Sequence, residues 1–178
     1  MAALTRLLAA ALLAMPGAAL AQAAPDVQVK AAFLYKFGGF VEWPPASFAG
    51  PEDAFAIGVL GADEIAAELE GVAKGRTVQE RPVLVRRLRR GEPLGRLHIL
   101  FIGEAEGARL QQIAAAAQGQ PILIVTETDN STSRGSMINF VEVDRKVRFD
   151  VALAPAERDH LRISARLLSV ARRVLPRS

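Results

Sequence analysis

The chain has 178 residues, a formal net charge of +3, and a composition that is 51% hydrophobic and 23% charged. That length supports one domain with a core of its own, burying about 68–70% of its unfolded surface. The absence of cysteine excludes disulfide staples, thiol catalysis, thiol redox sensing and Cys-ligated metal.

The first residues read as an export signal. Met1–Arg6 supply a short positive region, Leu7–Leu13 an apolar one, Pro16-Gly17 a break and Ala19-Leu20-Ala21 a small-x-small cleavage site. The apolar run is too short to anchor in a bilayer. The expectation is a cleaved signal peptide over 1–21 and a single α/β domain over 22–178, with no transmembrane segment in the mature chain. The bias toward Ala, Arg and Gly is that of a GC-rich bacterium, and the simplest destination is the periplasm.

The mature chain opens on Val29-Lys-Ala-Ala-Phe-Leu-Tyr-Lys-Phe-Gly-Gly-Phe-Val-Glu-Trp-Pro44, which holds half of the chain's aromatic residues. Asp26 is the expected N-cap. Val29, Phe33, Phe37 and Phe40 share one helical face, with Val27, Ala31, Leu34 and Val41 close to a second. The helix is predicted to run to Trp43-Pro44-Pro45, since proline disfavours a helical residue before it. A helix this apolar is a core element or is covered by another protein. Phe33, Phe37, Phe40 and Trp43 are therefore candidate core or dimer anchors. Gly38-Gly39 inside it implies a bend or a close backbone approach.

Further on, Ala54–Gly61, Arg81–Arg86, Leu97–Gly103 and Pro121–Thr126 read as strands, the second near an edge because of Pro82. Helices are expected from Asp63, as cap, to about Glu70, and over Glu106–Ala117. Met137–Val143 and Lys146–Val151 flank Asp144-Arg145 as an antiparallel hairpin. Ser164 caps a final helix with Leu167, Leu168, Ala171, Val174 and Leu175 on one face. The fold class is α/β: a mostly parallel central sheet flanked by helices, with a C-terminal β-hairpin and a closing helix.

Little here points to catalysis. No Gly-rich phosphate loop is present, and no serine sits in a nucleophile elbow. His98 and His160, the only histidines, share no metal-ligand spacing. No catalytic residue, cofactor or metal is expected. Carboxylates gather where strands end, at Asp63, Glu104, Glu127 and Asp129; they read as a helix cap and loop charges, or else as a crevice for a polar ligand. Arg86-Arg87-Leu88-Arg89-Arg90 lacks aromatic interleaving and belongs to an exported chain. It reads as a solvated strand end rather than a nucleic-acid patch, with an acidic partner or anionic lipid as the minority reading.

Three motifs in order resemble the YfiR family of HmsC-like periplasmic proteins. They are the Val29–Pro44 opening, Gly135-Ser-Met-Ile-Asn-Phe140, and Val147-Arg-Phe-Asp-Val151 with Leu161-Arg-Ile-Ser-Ala-Arg-Leu-Leu168. The resemblance implies a non-catalytic periplasmic protein that forms dimers. It implies repression of an inner-membrane diguanylate cyclase through that enzyme's periplasmic sensor region, and so lower cyclic di-GMP and less biofilm. Asn139 and Arg148, on the closing hairpin, are the candidate polar contacts. The sequence departs from the family in lacking its cysteines, and in placing Ser136 where the family has Gly; a positive φ there would strain a serine. The alternative function is a small-ligand sensor or carrier using the strand-end crevice. An envelope hydrolase using His98 or His160 is a third.

Overall fold

A computed structural model describes residues 24–176; the expected signal peptide lies outside the described residues. The elements in order are α1 Pro25–Phe37, β1 Val41–Glu42, β2 Phe55–Leu60, α2 Asp63–Ala73, β3 Thr77–Val78, β4 Arg81–Leu88 and β5 Ile99–Ile102. A 3-10 stretch, Glu104–Arg109, runs into α3 Leu110–Ala117. Then come β6 Leu123–Thr126, β7 Ile138–Val143, β8 Lys146–Ala152, α4 Leu153–Arg158, β9 Arg162–Ile163, α5 Ala165–Leu168 and β10 Arg173–Leu175.

Eight strands form one sheet in the order β10-β8-β7-β6-β5-β2-β4-β3. The centre is parallel, β7 and β8 form the antiparallel hairpin, and β3 turns back on β4. β2, β5 and β6 are buried along their whole length. This is why their sequences are unbroken apolar runs: both faces of a parallel sheet are covered. On one face α1 and α2 enclose a core built on Phe37, Phe55, Phe101 and Phe149. On the other, α3 closes a smaller core built on Leu100, Ile102, Leu110 and Ile122.

Several local expectations are corrected. α1 stops at Phe37 and does not reach Trp43, because Gly38 marks a close approach: a Cβ there would stand 2.7 Å from Val78 Cγ1. The Phe40 amide bonds the Phe37 carbonyl in a tight turn, and Val41–Glu42 leaves as β1 to pair with β9. The buried stripe of α1 is Val27, Ala31, Leu34 and Phe37, whereas Val29 is 41% exposed. Ala24 and Ala62, not Asp26 and Asp63, hold the N-cap positions of α1 and α2, with each aspartate in the first turn. There its charge still favours the positive end of the helix dipole.

The closing helix is also corrected. Ser164 does cap a helix, its Oγ accepting from the Leu167 amide at 3.3 Å, but α5 ends at Leu168. The Arg172 amide donates to the Phe149 carbonyl, and Arg173–Leu175 add to β8 as a parallel edge strand. The open edge of β8 supplies backbone partners that outweigh a helical periodicity.

Candidate functional site

The hairpin face of the core is an aromatic cluster. Phe37 is fully buried and lies 5.3 Å from Phe149 and 5.8 Å from Phe140, centroid to centroid. Phe33, one turn earlier, stacks 5.9 Å from Phe37 and stands edge-on to Phe149 at 5.5 Å but remains half-buried. Its outer edge lines a groove of about 320 Å³ with Val29, Val147, and the hairpin cations Arg145, Lys146 and Arg148. Of the expected site residues, Phe33 and Arg148 are brought together there, and Val29 joins them. Sequence reasoning missed Val29 as a surface residue, since its spacing matches Phe33 and Phe37.

The others lie elsewhere. Trp43 is buried, edge-on to Phe55 at 5.0 Å, and its Nε1 donates to the His98 carbonyl at 3.2 Å. Phe40 is half-buried, and its carbonyl accepts from the Ser164 amide at 2.9 Å. Asn139 is internal: its Oδ1 accepts from Thr126 Oγ1 at 2.7 Å and from the Thr128 amide at 3.2 Å. Thr126 Oγ1 also lies 2.8 Å from Ser136 Oγ and 2.9 Å from Ser131 Oγ. Ser136 is unstrained, because the positive φ, +103°, falls on Gly135, and its hydroxyl donates to the Ile138 carbonyl at 2.8 Å. Serine at this position thus joins a buried polar network.

The strand-end crevice divides in two. The chain order reverses between β2 and β5, the place where open α/β sheets bind ligands. Here the two loops meet backbone to backbone, since a Cβ at Gly103 would stand 2.3 Å from the Gly61 carbonyl oxygen, and only a cavity of about 280 Å³ remains beside them, lined by Gly61, Asp63, Glu104 and Glu127. Glu106, only 5% exposed, packs against Gly61 and accepts from Arg90 at 2.8 Å and Arg109 at 3.2 Å. The Arg90 bond and charge hold the Glu106 carboxyl below the usual carboxylate range. The basic run is therefore largely ion-paired, with Arg87 bidentate to Glu70 and Arg86 near Glu92. Glu92 lies just past the run, but Glu70 and Glu106 come from elsewhere in the chain and nothing local in the sequence identifies them.

The open part of the crevice lies over β6 and β7. A cavity of about 470 Å³ is lined by Asp26, Lys30, Glu104, Glu127, Asp129, Glu142 and Arg172. Lys30 crosses from α1 to bond Glu127 Oε2 at 2.7 Å. Burial alone would lower the Lys30 pKa; the Glu127 hydrogen bond and the charges of Glu127 and Asp26 outweigh it and raise the value above 10.5. Among the described residues no three His, Cys, Asp or Glu side chains are grouped to hold a metal ion.

The histidines stand apart. His160 is exposed on the turn after α4. His98 is 1% exposed, and its Nδ1 accepts from the Ala56 amide at 3.0 Å. The Phe48 and Phe55 rings stack on it at 4.4 and 4.8 Å.

Fold and surface together define an α/β protein whose switch-point loops meet backbone to backbone and whose exposed aromatic edge sits beside a cationic hairpin. Residues 27–172 match the YfiR/HmsC-like family, and the chain belongs to it. No curated protein matches the sequence significantly. Among the described residues no helix is long and apolar enough to cross a membrane.

Proposed function

We propose that this chain is a periplasmic negative regulator. It binds the periplasmic sensor region of an inner-membrane diguanylate cyclase and holds cyclic di-GMP synthesis, and with it biofilm formation, in check. The observation that carries this reading is the family match over residues 27–172, which includes both walls of the Phe33–Arg148 groove. The groove joins an apolar floor to an exposed charged rim, with Arg145, Lys146 and Arg148 on the hairpin and Asp26 on α1, the composition of a protein contact surface. Repression then follows from linkage. A regulator that binds the inactive state of the cyclase about 100-fold more tightly shifts its equilibrium by about 2.7 kcal/mol. On this reading the chain contains a single domain, acts without catalysis or cofactor, and uses the Val29–Phe33 edge for the cyclase or for a second copy.

The test is cyclic di-GMP in cells lacking the gene, complemented with exported and signal-less versions. The expected result is a rise on deletion that only the exported form reverses. An unchanged level on deletion, in cells that normally express the protein, would overturn the reading. The 470 Å³ cavity over β6 and β7 favours a second reading, a ligand-tuned sensor, because its volume falls in the range of small-molecule sites. A thermal-shift panel of amino acids and nucleotides tests it, and a panel with no stabilising compound removes it.

A further inference from the structure

His98 is a titratable side chain closed inside the protein, outside the groove and the cavity described above. The ring is sandwiched between Phe48 at 4.4 Å and 19°, and Phe55 at 4.8 Å and 21°. Trp43 stands edge-on at 6.2 Å. Nδ1 accepts from the Ala56 amide, so the ring proton sits on Nε2. Nε2 is turned toward the Ser47 backbone and makes no hydrogen bond of normal geometry; Ser47 Oγ is buried without a partner as well. Phe55 and Trp43 belong to the core, but Phe48 does not. It is half-buried on the segment between β1 and β2, and it is the ring's cover on that side.

That segment is a strap. Among the described residues, the backbone hydrogen bonds of residues 44–53 close within the segment. It is fastened by side chains instead. Arg81 donates to the carbonyls of Gly50, Pro51 and Asp53 and lies 3.9 Å over the Phe48 ring. Arg96 pairs with Asp53 at 3.2 Å. The charged groups facing His98 are thus Arg81 from β4, Arg96 from the β4–β5 connection and Asp53 from the strap itself.

We infer that His98 and the Phe48 strap form an acid-triggered latch: proton uptake by the ring releases Phe48 and lifts residues 45–49, while Arg81 keeps Gly50–Asp53 in place. An imidazolium carries N–H on both nitrogens, so Nδ1 can no longer accept from Ala56 and two donors face each other. The new charge also stands near two guanidiniums and only one carboxylate. The Phe faces attract a cation and the Ser47 backbone faces Nε2, but neither can give the new Nδ1–H an acceptor. Water can, and the strap is its route in. Burial holds the His98 pKa below 6.5, as a closed latch requires; the Ser47 backbone and the Asp53 charge oppose it, and the Arg81 and Arg96 charges reinforce it. The inference stands apart from the repressor reading and needs no partner.

Trp43 is the only tryptophan in the chain and bonds the His98 carbonyl, so its fluorescence reports on this site. The experiment titrates the protein from pH 8 to 4, following Trp43 emission, far-UV circular dichroism and amide exchange at Ser47, Phe48 and Ala49. A reversible one-proton transition is expected, with its midpoint below 6.5 and the circular dichroism unchanged. His160→Gln should leave it intact, and His98→Gln, whose side-chain carbonyl can still accept from Ala56, should abolish it. A transition that survives in His98→Gln, or that appears only as secondary structure is lost, overturns the latch. Should His98→Gln not fold, the wild-type imidazole NMR titration decides. A midpoint shared with strap exchange supports the latch, and strap exchange rising without imidazole titration refutes it.

Discussion

At the scale of the residue, two phenylalanines one helical turn apart have different work to do. Phe37 is fully enclosed, and truncating it leaves a cavity among Phe33, Phe140 and Phe149. Phe37→Ala should lower the unfolding free energy by about 3–5 kcal/mol in urea denaturation. Phe33 keeps an exposed edge, so Phe33→Ala should cost distinctly less stability while weakening self-association or cyclase binding. Equal stability losses for the two would mean that Phe33 is only a core residue. Asn139 illustrates a related point. Its polar side chain was an expected surface contact, but it satisfies Thr126 and the Thr128 amide inside the protein. Asn139→Leu strands those donors and should cost about 1–3 kcal/mol. Residue type alone does not distinguish these cases, because exposure is set by what packs alongside.

At the scale of the element, glycines show where chain segments meet. Gly103→Ala would drive a methyl into the Gly61 carbonyl, and neither loop can yield without moving a strand end. A loss of about 3 kcal/mol is expected. Gly71, exposed within α2 with nothing within 4 Å of its would-be Cβ, is the control. Gly71→Ala should stabilise by about 0.5–1 kcal/mol. Thermal or urea unfolding of both variants checks the pair, and similar effects would contradict the tight approach of Gly61 and Gly103. Besides its backbone pairing with β8, the last strand is anchored by an ion pair, Arg172 with the buried Asp150. In Arg172→Ala, amide exchange should rise at residues 173–175 and stay unchanged in β5 and β6.

At the scale of the molecule, charge governs the response to acid. The folded state holds His98 neutral at pH values where a free histidine takes a proton, so the unfolded chain binds more protons. Stability is then complete above about pH 6.5 and falls as pH drops from there to the folded-state pKa, where the slope levels. Glu106 and Glu70, held low by their arginine hydrogen bonds, add a second loss as pH falls below about 4.5. Urea unfolding across this range should show both phases in the wild type and only the lower one in His98→Gln. Association belongs to this scale too. If the Val29–Phe33 edge joins two copies, Val29→Asp should yield monomers by sedimentation without loss of fold, since Val29 is 41% exposed.

Much of the sheet was legible in the chain by itself. The unbroken apolar runs at 55–60, 99–102 and 123–126 are buried parallel strands, and the alternation through Val147, Phe149 and Val151 is the hairpin's second arm. Such signals survive because each strand's burial is written in its own residues. The stripe of α1 that faces inward, the conversion of 173–175 from helix to edge strand, the close approach of Gly61 and Gly103 at the switch point, and the enclosure of His98 were not legible. Each depends on partners tens of residues away. Periodicity limits which faces an element can bury, but the free energy of packing against those distant groups selects the face.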